Sequence, residues 1–267
     1  MAESIIYLKL GGSLITDKNK PYFVEQLTLD RISSEINRFL CENPNMNLII
    51  GHGSGSFGHT SATKYRTLHG VNTREEWIGY QKVCFDARSL NQLVMKSLQA
   101  ANVPAISFPP STQVTSSNRS IQTWDVSTIQ TALEHHLIPV IFGDTVLDTI
   151  IGGTILSTEE LFIYLARKIR PSRILLAGIE DGVWANFPSR DKLIDSITPA
   201  NYPSIKAQII GSVSTDVTGG MTTKIEKMLT LVHAYPELNI QVFSGTKISS
   251  IYSALSGNIL GTLISNS

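Results

Sequence analysis

Apolar residues run from Ile5 to Leu8, continue past Lys9 to Leu10, and stop at Gly11-Gly12. That pattern predicts a buried strand feeding a tight turn. Leu29, Ile32, Ile36, Phe39 and Leu40 then recur at helical spacing, which predicts an amphipathic helix over roughly 28–42. Leu48-Ile49-Ile50 reads as a second short strand, followed by a glycine-rich loop from Gly51 to Gly58. Thr73 and Glu76 form a capping box opening a helix to about Ala101. Val103 to Phe108 is strand-like, Asp125 is placed to cap a helix to about Leu137, and Ile138 to Phe142 is another strand. From Gly143 to Leu156 the pattern suits a hairpin with Gly152-Gly153 at its turn. Ser157 and Glu160 make a second capping box, whose helix Pro171 closes. A strand at Arg173 to Ala177, a helix from Gly219 to about Tyr235, a strand at Asn239 to Phe243, a short helix and a strand at Thr262 to Ile264 complete the series. Strands alternating with helices predict a mostly parallel sheet covered on both faces. No repeat, low-complexity run or linker divides the chain, so residues 1–267 read as one α/β domain with two functional halves.

Composition narrows the class without changing that picture. The 267 residues carry 22 Lys+Arg against 22 Asp+Glu, a formal net charge of zero, which gives no bulk attraction to nucleic acid or to an anionic membrane. Hydrophobic residues at 42% and charged residues at 16% exclude a disordered or collagen-like chain. Cys41 and Cys84 lie in helix-like segments without paired spacing, as expected of reduced thiols in a cytoplasmic protein. The run Ile5 to Leu8 is too short for a signal peptide or a membrane helix.

The chemistry lies in three glycine loops, and ligands of open α/β sheets bind beyond the carboxyl ends of strands. In Lys9-Leu10-Gly11-Gly12-Ser13, adjacent glycines let a phosphate approach the backbone, and Lys9 supplies a charge from inside an apolar strand. The plainer alternative is a surface lysine at an ordinary turn. In His52-Gly53-Ser54-Gly55-Ser56-Phe57-Gly58-His59, the three glycines fit G-x-G-x-x-G, but the acids about 20 residues on, Glu75 and Glu76, fall at a helix start. The dinucleotide context is therefore missing, and a hydrolase elbow fails because Ser54 stands where a glycine is needed before Ser56. What remains is a nest of N–H donors between two histidines, suited to an oxyanion. In Asp216-Val217-Thr218-Gly219-Gly220-Met221-Thr222-Thr223-Lys224, glycines open a helix whose N-terminus favours phosphate, with Lys224 one turn in. No glycine directly precedes that lysine, so this is not a Walker A loop. Three anion-suited loops with placed lysines favour phosphoryl transfer as the reaction class.

Taken in order, the strings KLGGSLIT with Lys18 beyond it, HGSGSFGH, IPVIFGDTVLD, GGTILS and STDVTGGMTTKI resemble the amino-acid kinase superfamily, and within it the isopentenyl phosphate kinases. They span residues 9 to 225, and the H-G-x-G-S-F-G-H string is the most specific of them; the fosfomycin kinases are a similar relative. The resemblance implies an αβα sandwich with a central, mostly parallel sheet, usually a homodimer. It implies ATP-dependent phosphorylation of isopentenyl phosphate, with Mg2+ carried by ATP and no separate metal site, in an alternative mevalonate route. The acceptor would occupy about 1–170 and the nucleotide about 171–267. By motif match, Lys9, Gly11, Gly12 and Ser13 would line the ATP phosphates, with Lys9 also counted among the catalytic groups. Lys18 would stabilise the charge in transfer, and Ser54 and His59 would face the acceptor phosphate. Gly55, Asp181, Gly219 and Lys224 would lie on the nucleotide side.

Two segments depart from the family pattern. Ser157-Thr158-Glu159 stands where members usually read S-G-D, so Thr158 would bring a Cβ against the substrate, while Glu159 keeps the acid expected to order the lysines. Gly178-Ile179-Glu180 stands where T-D-V is common, displacing an acid to Glu180. These changes leave open a phosphonate or carboxylate acceptor, or an inactive nucleotide-binding paralogue. The wall for an alkenyl tail is expected from the helix after Thr73, with Trp77, Ile78, Val83 and Phe85 among its apolar positions.

Overall fold

The first strand, β1 (Ile5–Leu10), places Ile6, Leu8 and Leu10 on one face of a sheet and Tyr7 and Lys9 on the other, as the two-residue period of a strand requires. A single helical turn, α1 (Gly12–Ile15), leads through a loop to α2 (Gln26–Glu42), whose Leu29, Ile32, Ile36 and Phe39 are buried against the Ile6 face. Next come β2 (Asn47–His52), α3 (Gly55–Tyr65) and the long α4 (Arg74–Ala100). The chain continues through β3 (Ala105–Ser107), the hairpin β4 (Val114–Ser117) and β5 (Ser120–Trp124), then α5 (Ser127–Glu134) and β6 (Ile138–Phe142). The second hairpin, β7 (Asp144–Asp148) and β8 (Gly152–Leu156), leads to α6 (Thr158–Lys168) and β9 (Arg173–Gly178). Short strands β10 (Val183–Ala185), β11 (Lys192–Ile194) and β12 (Ser196–Ile197) precede α7 (Tyr202–Ile209) and α8 (Gly220–Ala234). The last elements are β13 (Asn239–Ser244), α9 (Ser250–Leu255) and β14 (Thr262–Ile264). This computed structural model describes residues 4–186, 189–209 and 220–267.

The main sheet has eight strands in the order β12-β14-β13-β9-β1-β2-β6-β3, and every neighbouring pair is parallel except β13 with β14. Helices cover both faces, so the predicted αβα sandwich with a mostly parallel sheet is the fold observed. On one face, α2, α4 and α9 enclose Ile6, Leu8 and Leu10. On the other, α5, α6 and α8 enclose Tyr7, Ile174 and Leu176. A second sheet, β5-β4-β7-β8, stands beside the main one and carries the two hairpins.

Local signals gave most boundaries. Both capping boxes are present: Thr73 and Glu76 open α4, and Ser157 and Glu160 open α6. Other expectations need correction. The segment read as a loop from Gly51 to Gly58 is strand as far as His52 and helix from Gly55. Gly152 and Gly153 begin β8, and the turn before them is organised by Asp148, whose carboxylate accepts from the N–H groups of Ile150 and Ile151. Asp125 accepts from Ser127 N, but its helix ends at Glu134, short of Leu137. The hairpin β4–β5 carries Ser, Thr and Asn in place of an apolar run, which is why the hydrophobic pattern did not reveal it.

Candidate active site

Strands β1, β2 and β9 are parallel and in register, so their carboxyl ends meet at one edge, with Leu10 opposite both His52 and Ala177. Gly11 N donates to Ala177 O at 2.8 Å and Gly53 N to Leu10 O at 3.0 Å, which ties the two glycine loops to the sheet. The loops also pack on each other. A Cβ on Gly12 would lie 2.5 Å from Gly55 N, and one on Gly53 would lie 2.9 Å from Gly12 N. Glycine at these positions is therefore a condition of loop–loop contact, before any ligand is considered. Thr16 locks the junction: its hydroxyl donates to Gly12 O at 2.7 Å and accepts from Ser56 N at 2.9 Å.

Because Lys9 shares the Tyr7 face of β1, it points toward α6 and α8. There its ammonium lies 3.1 Å from Glu159 Oε1, and Lys224 on α8 lies 3.6 Å from the same oxygen. Burial pushes the Glu159 carboxyl up, but the two ammoniums outweigh it and hold the group below its ordinary value. Glu159 thus gathers two cations contributed by elements distant in sequence, the arrangement expected of the acid at this position. The next residue, Glu160, caps α6 through Ser157 and reaches Lys227 of α8 at 2.9 Å, a second rung between the same helices.

Thr158 behaves differently from expectation. Its hydroxyl donates to His52 O at 2.6 Å, and its methyl occupies space that is open because Gly51 lacks a Cβ, which would lie only 2.5 Å from it. The residue still borders the cavity, but its side-chain atoms are engaged with the core, so the predicted crowding of the substrate is largely absorbed.

The cavity at this edge brings together Lys9, Gly11, Gly12, Ser13, Lys18, Ser54, Gly55, His59, Thr158 and Lys224. Lys18 projects from an exposed loop, and among the described residues no carboxylate is paired with it. His59 sits one turn into α3, half-buried. The two histidines bracketing the second loop part company. His52 is fully buried, contacts Asn91 Oδ1 through Nε2 at 3.2 Å and stacks on Phe142; it belongs to the core, and burial pushes its pKa down. Asp181 lies outside this cavity, in a neighbouring depression where Lys247 pairs with it at 2.7 Å. Glu180 does border the cavity, held by Trp184 Nε1 at 3.2 Å and Arg190 at 2.6 Å. Gly219 lies outside the described residues.

The cavity also has an apolar border to which Ala62, Leu68, Val83, Ala87 and Ile155 contribute. Of the four α4 positions singled out from sequence, only Val83 is part of this wall; Trp77, Ile78 and Phe85 are exposed. Ala87, one turn beyond Val83, was available from helical spacing. Leu68 and Ile155 carried no signal, because only packing shows which face of a turn or hairpin meets the cavity.

Comparison with known proteins places these features in a family. The model of the amino acid kinase family matches residues 4–244. The chain is 35% identical to the isopentenyl phosphate kinase of Methanocaldococcus jannaschii, over 96% of this chain and 97% of that protein. It is 32% identical to the isopentenyl phosphate kinase of Methanothermobacter thermautotrophicus, over 97% and 95% of the two chains. A crystal structure of an isopentenyl phosphate kinase superposes with a TM-score of 0.81 at 29% identity, covering 97% of this chain and all of that one (100%).

Proposed function

The chain belongs to the amino acid kinase family, and from that premise we propose that it transfers the γ-phosphoryl group of ATP to isopentenyl phosphate, giving isopentenyl diphosphate and ADP. The observation that carries this reading is one cavity bordered by lysines and glycine loops, by small and branched apolar side chains, and by Ser54 and His59. A phosphate group on a short hydrocarbon tail matches that polarity. The curated relatives of the same family bear this activity in their names over nearly the whole chain.

The chemistry needs little covalent help. A phosphate monoester carries roughly −1.5 to −2 charges at neutral pH, so its attacking oxygen is already ionised and no general base is required. That oxygen forms a bond to Pγ while the bond from Pγ to the β–γ bridging oxygen breaks and ADP departs. The barrier is the approach of two anions in line, which cations and N–H dipoles lower. In this reading Lys9 and Lys224 hold the nucleotide phosphates, Lys18 stabilises the group in transfer, and His59 with Ser54 holds the acceptor phosphate. Residues of about 1–170 would supply the acceptor half, with the Lys9 loop reaching across to the nucleotide phosphates, and those of about 171–267 the nucleotide half.

Among the described residues no three His, Cys, Asp or Glu side chains gather to hold a metal ion. Mg2+ would arrive on the nucleotide, held by phosphate oxygens and water, and would neutralise phosphate charge there. A homodimer belongs to the same proposal; Ile78 and Phe85, 57% and 59% exposed and two turns apart on α4, offer an apolar face for it. No helix among the described residues is long and apolar enough to cross a membrane.

The test is a coupled ADP-release assay with Mg-ATP against isopentenyl phosphate, dimethylallyl phosphate, geranyl phosphate and fosfomycin. Saturable turnover selective for isopentenyl phosphate is expected. Preference for fosfomycin would reassign the acceptor, and ATP binding without turnover of any acceptor would overturn the reading.

A further inference from the structure

Asp86 is a buried carboxylate, 2% exposed, on the helix whose Val83 and Ala87 border the cavity. A buried carboxylate is costly unless its oxygens are occupied. One oxygen takes Lys82 Nζ at 2.5 Å, a neighbour on the same helix. The other accepts from the Tyr22 hydroxyl at 3.1 Å, from a residue 64 positions away.

Tyr22 belongs to the loop that carries Lys18. The base of that loop is fixed by an antiparallel bridge between Thr16 and Val24 and by Asp17 N donating to Phe23 O at 3.1 Å. Tyr22 itself adopts φ 57°, a left-handed conformation unfavourable for an aromatic residue and kept only where the surroundings impose it. Its ring meets Phe57 edge-on at 5.6 Å, two residues before His59, and Lys82 Nζ lies 5.2 Å from its centroid. One side chain therefore joins the Lys18 loop to the helix bearing His59 and to the helix whose Val83 and Ala87 border the cavity.

We infer that Tyr22 is a positioning residue for Lys18, with the Asp86 carboxylate as its anchor, setting the ammonium over the point where the phosphoryl group passes. The inference rests on the role proposed above for Lys18. A hydroxyl far from the reacting atoms matters because displacement of a charge by about 1 Å is enough to cost on the order of 10²-fold in rate.

Tyr22→Phe removes the hydroxyl and keeps the ring on Phe57. The expected result is a fall in kcat of about 5–20-fold, with KM for ATP and for the acceptor each within about twofold. Asp86→Asn, which retains an acceptor oxygen, should be milder than Asp86→Ala. In a Lys18→Ala background Tyr22→Phe should add nothing, because the group it positions is gone. Independently of turnover, amide exchange at Asp17 should quicken in Tyr22→Phe. Unchanged kcat, an undiminished loss in the Lys18→Ala background, or unchanged exchange at Asp17 would each overturn the inference. Full activity of Lys18→Ala would remove it through the loss of Lys18's role. If the wild-type chain turns over no acceptor, the functional reading has failed, and the exchange at Asp17 still decides whether the hydroxyl holds the loop.

Discussion

Lys18 and His59 both border the cavity from loop and helix positions that leave them within reach of a ligand, and each carries a distinct expectation. Lys18→Ala should leave ATP binding nearly intact in calorimetry while lowering kcat at least about 10²-fold, the scale of a single electrostatic contact in a transition state. His59→Ala should chiefly impair use of the phosphorylated acceptor, read as a fall in kcat/KM for isopentenyl phosphate with little change in ATP affinity. Equal activity in either variant would remove that residue from the mechanism. The same scale shows why two histidines at the ends of one string have different fates. His52 ends a strand buried on both faces, whereas His59 has entered a helix at the cavity rim. Thr158 teaches a similar lesson: its methyl is accommodated by a glycine at position 51, on a neighbouring strand far away in sequence.

At the scale of elements, Asp144 joins the hairpin of β7 and β8 to the segment before β4 and, through it, to α4. This buried carboxylate accepts from Ser111 Oγ at 2.5 Å and from Thr145 N at 2.8 Å, and Arg88 of α4 in turn donates to Ser111. Burial pushes its pKa up to about 6, against the lowering effect of those donors. An unfolded aspartate titrates near 3.9, so between about pH 4 and 6 the folded chain holds more of this proton than the unfolded one. This group's contribution to stability therefore falls as pH rises through that window and is constant above it, a change of at most about 3 kcal/mol. Urea unfolding of wild type and Asp144→Asn at pH 4.5 and 6.5 should show a stability difference that changes with pH in this direction, on top of a constant offset from the altered hydrogen bonds. A pH-independent difference would show that Asp144 titrates normally. Glu159, held low by its two lysines, acts with the opposite sign: its contribution is present above the unfolded value and lost as pH falls through the folded one.

For the whole molecule, the central fact is that Lys9, Glu159 and Lys224 come from β1, α6 and α8 and meet at one sheet edge. Nucleotide phosphates bound there would add a further link between those elements. Mg-ATP at 100 times its dissociation constant should stabilise the fold by about 2.7 kcal/mol, raising the melting temperature by roughly 5–10 °C. A melting temperature indifferent to Mg-ATP would mean that the cluster is not a phosphate site. Much of this organisation was legible in the chain. Alternating strands and helices gave the sandwich, the capping boxes at Thr73 and Ser157 gave helix starts, and the glycine loops with Lys9 and Lys18 pointed to residues that border one cavity. These signals are local, set by propensities, caps and backbone freedom over a few residues. What only the tertiary structure decided depends on which surfaces pack together: the opposite roles of His52 and His59, the inward turn of Thr158, the choice of Val83 and Ala87 over Trp77, Ile78 and Phe85 for the cavity wall, and the contact between Tyr22 and Asp86. Burial is a property of the assembled layers, so no short window of sequence specifies it.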